Sequence, residues 1–240
     1  MKSNEDMLIQ GARAMDIHMD ENTVKQFSQY TRMLLEWNKK INLTRIVEQK
    51  DIIVKHYLDS IAVVNKGYIK DGHRVVDIGT GAGFPGLPIK ILKRNIHITL
   101  VDSLGKRIKF LEALIHSLGL DGVEAVHSRA EEVGRHPRYR ETFDIALTRA
   151  VARINVLCEY ALPLLKIGGF FLCFKGPQPE EEIKEAGKAL EVLGGKPVEV
   201  IRFALPFSDI NRSVVVIEKT KQSPTKYPRK AGKPAKNPLT

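Results

Sequence analysis

The segment with the most evident chemistry is a glycine-rich loop that follows an acidic residue. It reads DIGTGAGFPG and runs from Asp77 to Gly86. Glycines in such a loop let the backbone approach a ligand closely and adopt dihedral angles that are closed to other residues. We therefore predict that the loop binds a ligand and that Asp77, Gly79 and Gly81 contact it.

A second acidic residue, Asp102, ends the next apolar run, 25 residues after Asp77. In an open parallel sheet, ligands bind beyond the carboxyl ends of the strands, and an acid at this position can accept hydrogen bonds from ribose hydroxyls. The ligand is therefore expected to contain a ribose, with Asp102 in its binding site.

The charge beside the loop indicates which ribose-containing ligand fits. Gly81, Gly83 and Gly86 match the dinucleotide fingerprint G-x-G-x-x-G. However, Asp77 would face a pyrophosphate with its carboxylate, Pro85 interrupts the turn, and the chain has no room for a separate substrate domain. S-adenosylmethionine instead carries an ammonium and a sulfonium group, which suit an acidic residue before the loop. The loop therefore favours S-adenosylmethionine over NAD, and a structural loop without a nucleotide is the remaining alternative.

Short apolar runs alternate with segments of helical length through most of the chain. Such alternation is typical of parallel βαβ units in a doubly wound sheet. Only a short loop separates the last two runs, which indicates an antiparallel hairpin. We predict an α/β fold whose mostly parallel sheet has one antiparallel strand near its edge. The predicted strands cover residues 74–78, 96–101, 123–126, 143–147, 169–174, 198–204 and 213–217.

Apolar residues at three- and four-residue steps precede the first predicted strand. They predict amphipathic helices over 22–41 and 49–64. These helices would form a cap in front of the sheet. The chain is therefore divided into an N-terminal helical cap (1–70), an α/β domain (71–218) and a C-terminal tail (219–240).

Much of the positive charge lies in the C-terminal tail. The net charge is +10, and seven of the 38 Lys and Arg residues fall in 219–240, together with four prolines and no acidic residue. Because the tail lacks apolar periodicity, we expect it to be extended and flexible. Two interpretations stay open, a solubilising tail and an arm that contacts RNA phosphates. In the second, Lys226, Arg229 and Lys230 are candidate RNA contacts.

The composition excludes several classes of protein. Of 240 residues, 43% are hydrophobic, which is enough for a packed core, and the two cysteines are too few for a disulfide scaffold. No run approaches the roughly 20 apolar residues of a membrane-spanning helix, no secretion signal is evident, and no spacing of a zinc site occurs. We expect a cytoplasmic, monomeric protein without a metal site or a membrane partner.

Four motifs connect the chain to a known family. They are WNKKINLT (37–44), HYLDS (56–60), DIGTGAGFPG (77–86) and TRAVA (148–152). Together they resemble the glucose-inhibited division protein B family, the bacterial 16S ribosomal RNA guanine-N7 methyltransferases, from about residue 20 to the tail. The resemblance implies a class I S-adenosylmethionine-dependent methyltransferase (Rossmann-like) fold and S-adenosylmethionine as methyl donor. It also implies a guanine in the decoding-region loop of 16S ribosomal RNA as target, and that RNA or the small ribosomal subunit as partner.

The resemblance further implies particular site residues. Gly79 and Phe84 match cofactor contacts in the glycine loop, and Ala130 and Glu131 match the loop that borders the adenine. Arg149 matches an arginine beside the donor and the entering base. Guanine N7 has a lone pair and no proton to lose, so its methylation needs alignment rather than a general base. Arg149 is therefore the expected catalytic residue, because an arginine can read guanine N7 and O6.

Further cations near the predicted ligand edge are candidates for RNA contact. Lys175 follows the fifth strand, Arg212 precedes the last strand, and Arg153 lies four residues after Arg149. Arg153 and the basic loop 135–140 also fit plain solvated charge. Two other functions stay open: a methyltransferase that acts on a small molecule or protein, and a noncatalytic RNA-binding protein.

Overall fold

A seven-stranded sheet forms the centre of the computed structural model, which describes residues 3–149 and 152–240. Its strand order is β3-β2-β1-β4-β5-β7-β6. The strands are β1 (Arg74–Ile78), β2 (His97–Asp102), β3 (Val123–His127), β4 (Phe143–Arg149), β5 (Leu165–Lys175), β6 (Gly195–Ala204) and β7 (Asn211–Lys219).

Strand β7 runs against its neighbours. It pairs antiparallel with both β5 and β6, whereas β3, β2, β1, β4 and β5 pair parallel to one another. The mostly parallel sheet with an antiparallel strand near its edge is thus confirmed. The reversed direction has a consequence for function. It brings the start of β7 to the edge where β1, β2, β4 and β5 end.

Helices cover both faces of the sheet. They are α1 (Asn4–Arg13), α2 (Glu21–Ile41), α3 (Gln49–Ile52), α4 (Asp59–Ile61), α5 (Gly86–Leu92), α6 (Gly105–Leu118), α7 (Ala130–Val133), α8 (Ile154–Ala161), α9 (Glu180–Glu185), α10 (Gly187–Leu193) and α11 (Lys233–Lys236). A π-helical segment, Ile53–Leu58, joins α3 to α4. Strand residues alternate between the two faces, so Val75 and Val76 belong to different core clusters.

The N-terminal helices pack on one face of the sheet. Helix α2 matches the predicted helix over 22–41, and the prediction over 49–64 corresponds to the continuous helical segment from α3 to α4. Helix α1 is not among the predicted elements. Its start is stabilised by a capping box between Ser3 and Asp6, a short-range signal in the sequence. The π-helical segment is notable because such irregular turns occur frequently at functional sites.

The C-terminal tail differs from the sequence-based expectation. It was expected to be flexible and outside the fold, but Tyr227 is buried and packs against the core cluster around α8. Lys219 belongs to β7, and its side chain is fully buried. The physical reason is that the tail finds partners on the body of the protein, for both its cations and its backbone carbonyls.

Within residues 3–149 and 152–240, no helix combines the length and apolar character that crossing a bilayer requires. The same described residues contain no cluster of three His, Cys, Asp or Glu side chains arranged to hold a metal ion. Cys158 lies in α8 and Cys173 in β5, and both are buried free thiols.

Candidate active site

A cleft of about 770 Å³ opens at the carboxyl edge of the parallel strands. The parallel register brings the ends of β1, β2, β4 and β5 to this edge. The N-terminal cap forms the opposite side. Residues lining the cleft include Thr44, Lys55, His56, Asp59, Gly79, Gly81, Phe84, Asp102, Arg107, Arg149, Lys175 and Arg212.

Asp77 lies beneath the glycine loop and has no exposed surface. Its Oδ2 accepts hydrogen bonds from Thr80 Oγ1 (2.7 Å) and from the backbone N–H of Gly86 (2.8 Å). Burial raises the pKa of Asp77 to about 6, although both hydrogen bonds oppose the rise. Its Oδ1 has no hydrogen-bond partner among the described residues. Asp77 therefore holds the loop in shape and keeps one acceptor available beneath it.

The loop glycines adopt conformations that favour glycine. Gly79, Gly81 and Gly83 have φ values of +71°, +63° and +98°. A Cβ on Gly83 would also lie 2.6 Å from the hydroxyl of Tyr30, which donates a hydrogen bond to the Ala82 carbonyl. Tyr30 belongs to α2, so the cap helix contacts the loop directly.

Asp102 stands at the cleft as predicted, but its oxygens already have partners. Oδ1 accepts from the backbone N–H of Leu104 (2.9 Å), and Oδ2 accepts from the N–H of Gly81 (3.0 Å). Arg107 adds an ion pair to Oδ2 at 3.1 Å. A ribose at this carboxylate would share its oxygens with these partners. Arg107 did not appear among the predicted site residues.

Arg149 joins the end of β4 to the cap. Its Nη1 donates to Asp59 Oδ2 (3.1 Å), to Ser60 Oγ (3.1 Å) and to the carbonyl of His56 (3.2 Å). Burial lowers the pKa of Arg149, and the nearby carboxylate of Asp59 opposes this shift. Its guanidinium carbon lies 5.1 Å from the centre of the Phe84 ring. Arg149 is therefore a fixed cation in the wall of the cleft.

His56 lies on the π-helical segment and is held neutral. Burial and the charge of Arg149 lower its pKa to about 3. Its Nδ1 faces Arg149 Nη2 (3.3 Å), which is a donor, so Nδ1 accepts and Nε2–H donates to Thr44 Oγ1 (2.9 Å). The ring stacks on Phe84 at 4.4 Å, and Phe84 also stacks with Tyr30 at 5.3 Å. These contacts lock the cap onto the glycine loop.

The predicted adenine-bordering residues lie at a second, smaller cavity of about 250 Å³. Ala130 and Glu131 line it, and it shares Gly79 and Asp102 with the main cleft. The two cavities are therefore neighbours along the strand ends. Gly232, from the C-terminal tail, also lines this cavity, which the sequence did not indicate.

The predicted RNA-contacting residues fall into two groups. Lys175 and Arg212 line the main cleft, where Lys175 pairs with Glu182 (2.6 Å) and Arg212 Nε lies 3.7 Å from Asp59 Oδ1. Arg153 is exposed and pairs with Glu185.

The tail residues Lys226, Arg229 and Lys230 do not line the main cleft. Lys226 and Lys230 are exposed, whereas Arg229 is bound to the buried Glu159. Ala150 and Val151 of the TRAVA motif lie outside the described residues.

Asp59 and Ser60 both accept hydrogen bonds from Arg149, whereas the sequence placed them only within a motif. Their signal was the HYLDS segment, but nothing local to it indicates a contact with Arg149, 90 residues away. The contact depends on how the cap helix crosses the end of β4. Periodicity in the sequence does not encode that crossing.

Comparisons with known proteins agree with this geometry. A family model described as "GidB: rRNA small subunit methyltransferase G" matches residues 23–212. A protein of Alkaliphilus metalliredigens named Ribosomal RNA small subunit methyltransferase G is 50% identical over 97% of this chain and 98% of its own length. One of the same name from Alkaliphilus oremlandii is 51% identical over 98% of both chains.

Solved structures share the fold at low sequence identity. The 1,6-didemethyltoxoflavin-N1-methyltransferase of Burkholderia thailandensis, solved with S-adenosylhomocysteine, has a TM-score of 0.56 at 18% identity over 81% of this chain and 90% of its own. A SAM dependent methyltransferase of Aquifex aeolicus has a TM-score of 0.51 at 21% identity over 70% and 93%. The fold is therefore that of class I methyltransferases, and by its sequence the chain belongs to the rRNA small subunit methyltransferase G family.

Proposed function

We propose that this protein transfers a methyl group from S-adenosylmethionine to N7 of a guanine in 16S ribosomal RNA, in the decoding-region loop. Family membership supports the methyltransferase activity and the RNA substrate. The observation that carries the proposal is the cleft itself. It joins the glycine loop and Asp102 to the cations Arg149, Lys175 and Arg212.

The residues of the cleft fit S-adenosylmethionine. The positive-φ glycines permit close backbone approach, and the buried carboxylate of Asp77 beneath the loop supplies a negative charge that would attract the ammonium group. The smaller cavity lies next to the cleft, beyond Asp102, at the adenine end. The proposed donor-binding residues are Asp77, Gly79, Gly81, Phe84, Asp102, Ala130, Glu131 and Arg149.

The site supplies alignment and charge rather than a base. When bound, S-adenosylmethionine provides an electrophilic methyl carbon on a sulfonium. As the lone pair of guanine N7 formed the bond to the methyl carbon, the methyl–sulfur bond would break and S-adenosylhomocysteine would leave, so no proton has to be removed. His56 is neutral and committed to Thr44 and Arg149, which fits a reaction that needs no general acid or base. Arg149 is proposed to contact the guanine at O6, which leaves the lone pair of N7 free to attack.

Cations around the cleft are proposed to hold the RNA backbone. Lys175 and Arg212 line the cleft itself, and Arg153 is the exposed N-cap residue of α8. Phosphate contacts of this kind position RNA without reading its sequence. Lys226 and Lys230 remain available for such contacts, whereas Arg229 is engaged by Glu159.

The other two functions differ in what they require of the cleft. A methyltransferase for a small molecule or a protein would use the donor site but would not need the cations at the strand ends. A noncatalytic RNA-binding protein would not need Asp77 or the positive-φ loop. Family membership and the combination of both features favour the RNA methyltransferase. We also propose a monomer that acts in the cytoplasm on the RNA or the small subunit.

The direct test is methylation followed by mapping of the product. The protein is incubated with labelled S-adenosylmethionine and either naked 16S ribosomal RNA or small subunits that lack the modification. 7-Methylguanine is then located by chemical strand cleavage. The expected result is one modified guanine in the decoding-region loop. Donor binding without 7-methylguanine on either substrate would contradict the RNA assignment, and Lys188→Ala, an exposed change on α10, serves as an active control.

A further inference from the structure

We infer that the C-terminal segment 227–236 forms part of the wall of the donor site and closes its adenine end. The inference rests on the proposed function, since it takes S-adenosylmethionine as the ligand. It gives the tail a role in binding the nucleoside part of the donor, which differs from both a solubilising tail and an RNA-binding arm.

The segment is anchored by a buried carboxylate. Glu159 on α8 has only 1% of its surface exposed. Its Oε1 accepts from the backbone N–H of Arg229 (2.7 Å) and from Arg229 Nε (2.9 Å), and its Oε2 accepts from Nη2 (2.6 Å). A buried carboxylate without its cation is strongly unfavourable. Glu159 therefore holds the tail at a defined position.

The basic loop 135–140 binds the backbone of the tail. Arg140 donates to the carbonyls of Ser223 and Tyr227, each at 2.7 Å, and Arg135 Nε donates to the carbonyl of Pro228 at 2.6 Å. These two arginines were considered as solvated charge or RNA contacts. Arg135 Nε and the two terminal nitrogens of Arg140 instead bind the tail, so both sides of the Tyr227–Pro228 segment are fixed.

Helix α7 leaves room for this path. A Cβ on Gly134, at the end of α7, would lie 2.8 Å from Pro228 Cγ. The same helix carries Ala130 and Glu131, the proposed adenine-bordering residues. The tail therefore packs against the element that borders the adenine end of the site.

The tail then reaches the cavity. The backbone N–H of Gly232 donates to Glu131 Oε1 at 2.7 Å, and Gly232 and Ala235 line the 250 Å³ cavity with Ala130 and Tyr160. Gly232 adopts a φ of +78°, which glycine accepts readily. Without the tail, this end of the cavity would be open to water, and Glu131 would lose a partner.

The experiment compares donor affinity in Arg229→Ala, Gly232→Ala and Lys188→Ala, measured by calorimetry with S-adenosylhomocysteine and with 5′-methylthioadenosine, which lacks the amino acid end. Arg229→Ala should weaken both ligands by about tenfold, because the wall next to the nucleoside is released. Gly232→Ala adds no clash but strains the positive φ, and should weaken both a few-fold. Lys188→Ala, which removes an exposed cation of α10 outside the segment, should leave both affinities unchanged.

Melting curves and RNA binding complete the test. Gly232→Ala is expected to keep a near-native melting temperature, so a loss of affinity is not a loss of fold. Wild-type affinity for both ligands in Arg229→Ala and Gly232→Ala would overturn the inference. So would normal donor binding combined with weakened binding of a 16S RNA fragment, since that result marks an RNA arm. If the wild-type protein itself binds no S-adenosylhomocysteine, the proposed function fails instead.

Discussion

Arg149 Nη1 and Asp59 Oδ2 lie 3.1 Å apart, and this ion pair joins the end of β4 to the N-terminal cap. Both side chains are largely buried, and the two residues lie 90 positions apart in the sequence. The pair therefore fixes the position of the cap relative to the sheet, and with it the shape of the cleft. It also commits part of the Arg149 guanidinium before any substrate binds.

Asp59→Ala should unfold more easily, because it leaves Arg149 as a buried charge without its carboxylate. We expect the free energy of unfolding, measured with urea, to fall by about 3 kcal/mol. Asp51→Ala is the matched control on the same helical segment. Its pair with Lys55 is more exposed, and the expected loss is about 0.5 kcal/mol. Equal losses in the two variants would contradict the structural role of the Arg149 pair.

The affinity for S-adenosylhomocysteine should rise as the pH rises through about 6. The pKa of Asp77 is raised to about 6 by burial, so the carboxyl is protonated below that pH and ionised above it. Only the ionised form attracts the ammonium of the ligand. We expect the affinity to rise by up to about tenfold between pH 5 and pH 7, measured by calorimetry. His56 does not titrate in that window, because its pKa is about 3.

Asp77→Asn should bind S-adenosylhomocysteine weakly, and its affinity should not rise between pH 5 and pH 7.

The contribution of Asp77 to the stability of the wild-type fold should instead fall as the pH rises. The unfolded chain ionises Asp77 near its ordinary pKa of 3.8, while the folded protein keeps the proton up to about 6. The folded state thus binds more protons between these values, so the contribution of Asp77 to stability falls as the pH rises through them. If the ligand affinity of Asp77→Asn still rose between pH 5 and pH 7, the pH dependence would belong to another group.

Gly86→Ala should disturb the loop despite its small size. A Cβ at this position would lie 2.7 Å from Asp77 Oδ2 and 2.8 Å from Leu100 Cδ2. We expect the free energy of unfolding to fall by about 2 kcal/mol, together with weaker binding of S-adenosylhomocysteine. Gly187→Ala is the control, since a Cβ there meets nothing within 4 Å and alanine favours the helix. If Gly86→Ala kept the wild-type free energy of unfolding and ligand affinity, the loop would have more space than its contacts indicate.

The salt dependence of RNA binding should separate the two groups of cations. Lys175→Ala and Arg212→Ala should each lower the slope of log affinity against log salt by about 0.7, the value for one phosphate contact on single-stranded RNA. Arg229→Ala should leave the slope unchanged, because that cation is bound to Glu159. Filter binding with a 16S RNA fragment at several salt concentrations measures this. If the slope fell only in Arg229→Ala, the phosphate contact would be assigned to the tail and not to the cleft.

Local patterns in the sequence were sufficient to predict the strands, helix α2 and the glycine loop. The three- and four-residue spacing of apolar side chains predicted α2 within one residue at its start, and the β-branched run before DIGTGAGFPG predicted β1. Each depends on neighbours in the chain, since helix and strand periodicity and glycine conformations are local properties. The strand ends that carry Asp77 and Asp102 follow from the same patterns.

Only the tertiary structure decided which charged side chains are open to a ligand and which are already buried or paired within the protein. Asp77 lies beneath the loop rather than in the open cleft, and the tail cation Arg229 is bound by Glu159, 70 residues earlier. The structure gives this segment defined contacts, whereas its composition predicted a flexible tail. Its composition offered no apolar pattern, because its partners are carboxylates and arginines on other elements. Contacts between residues so distant in sequence depend on how helices and strands pack. The periodicity of the sequence does not encode that packing.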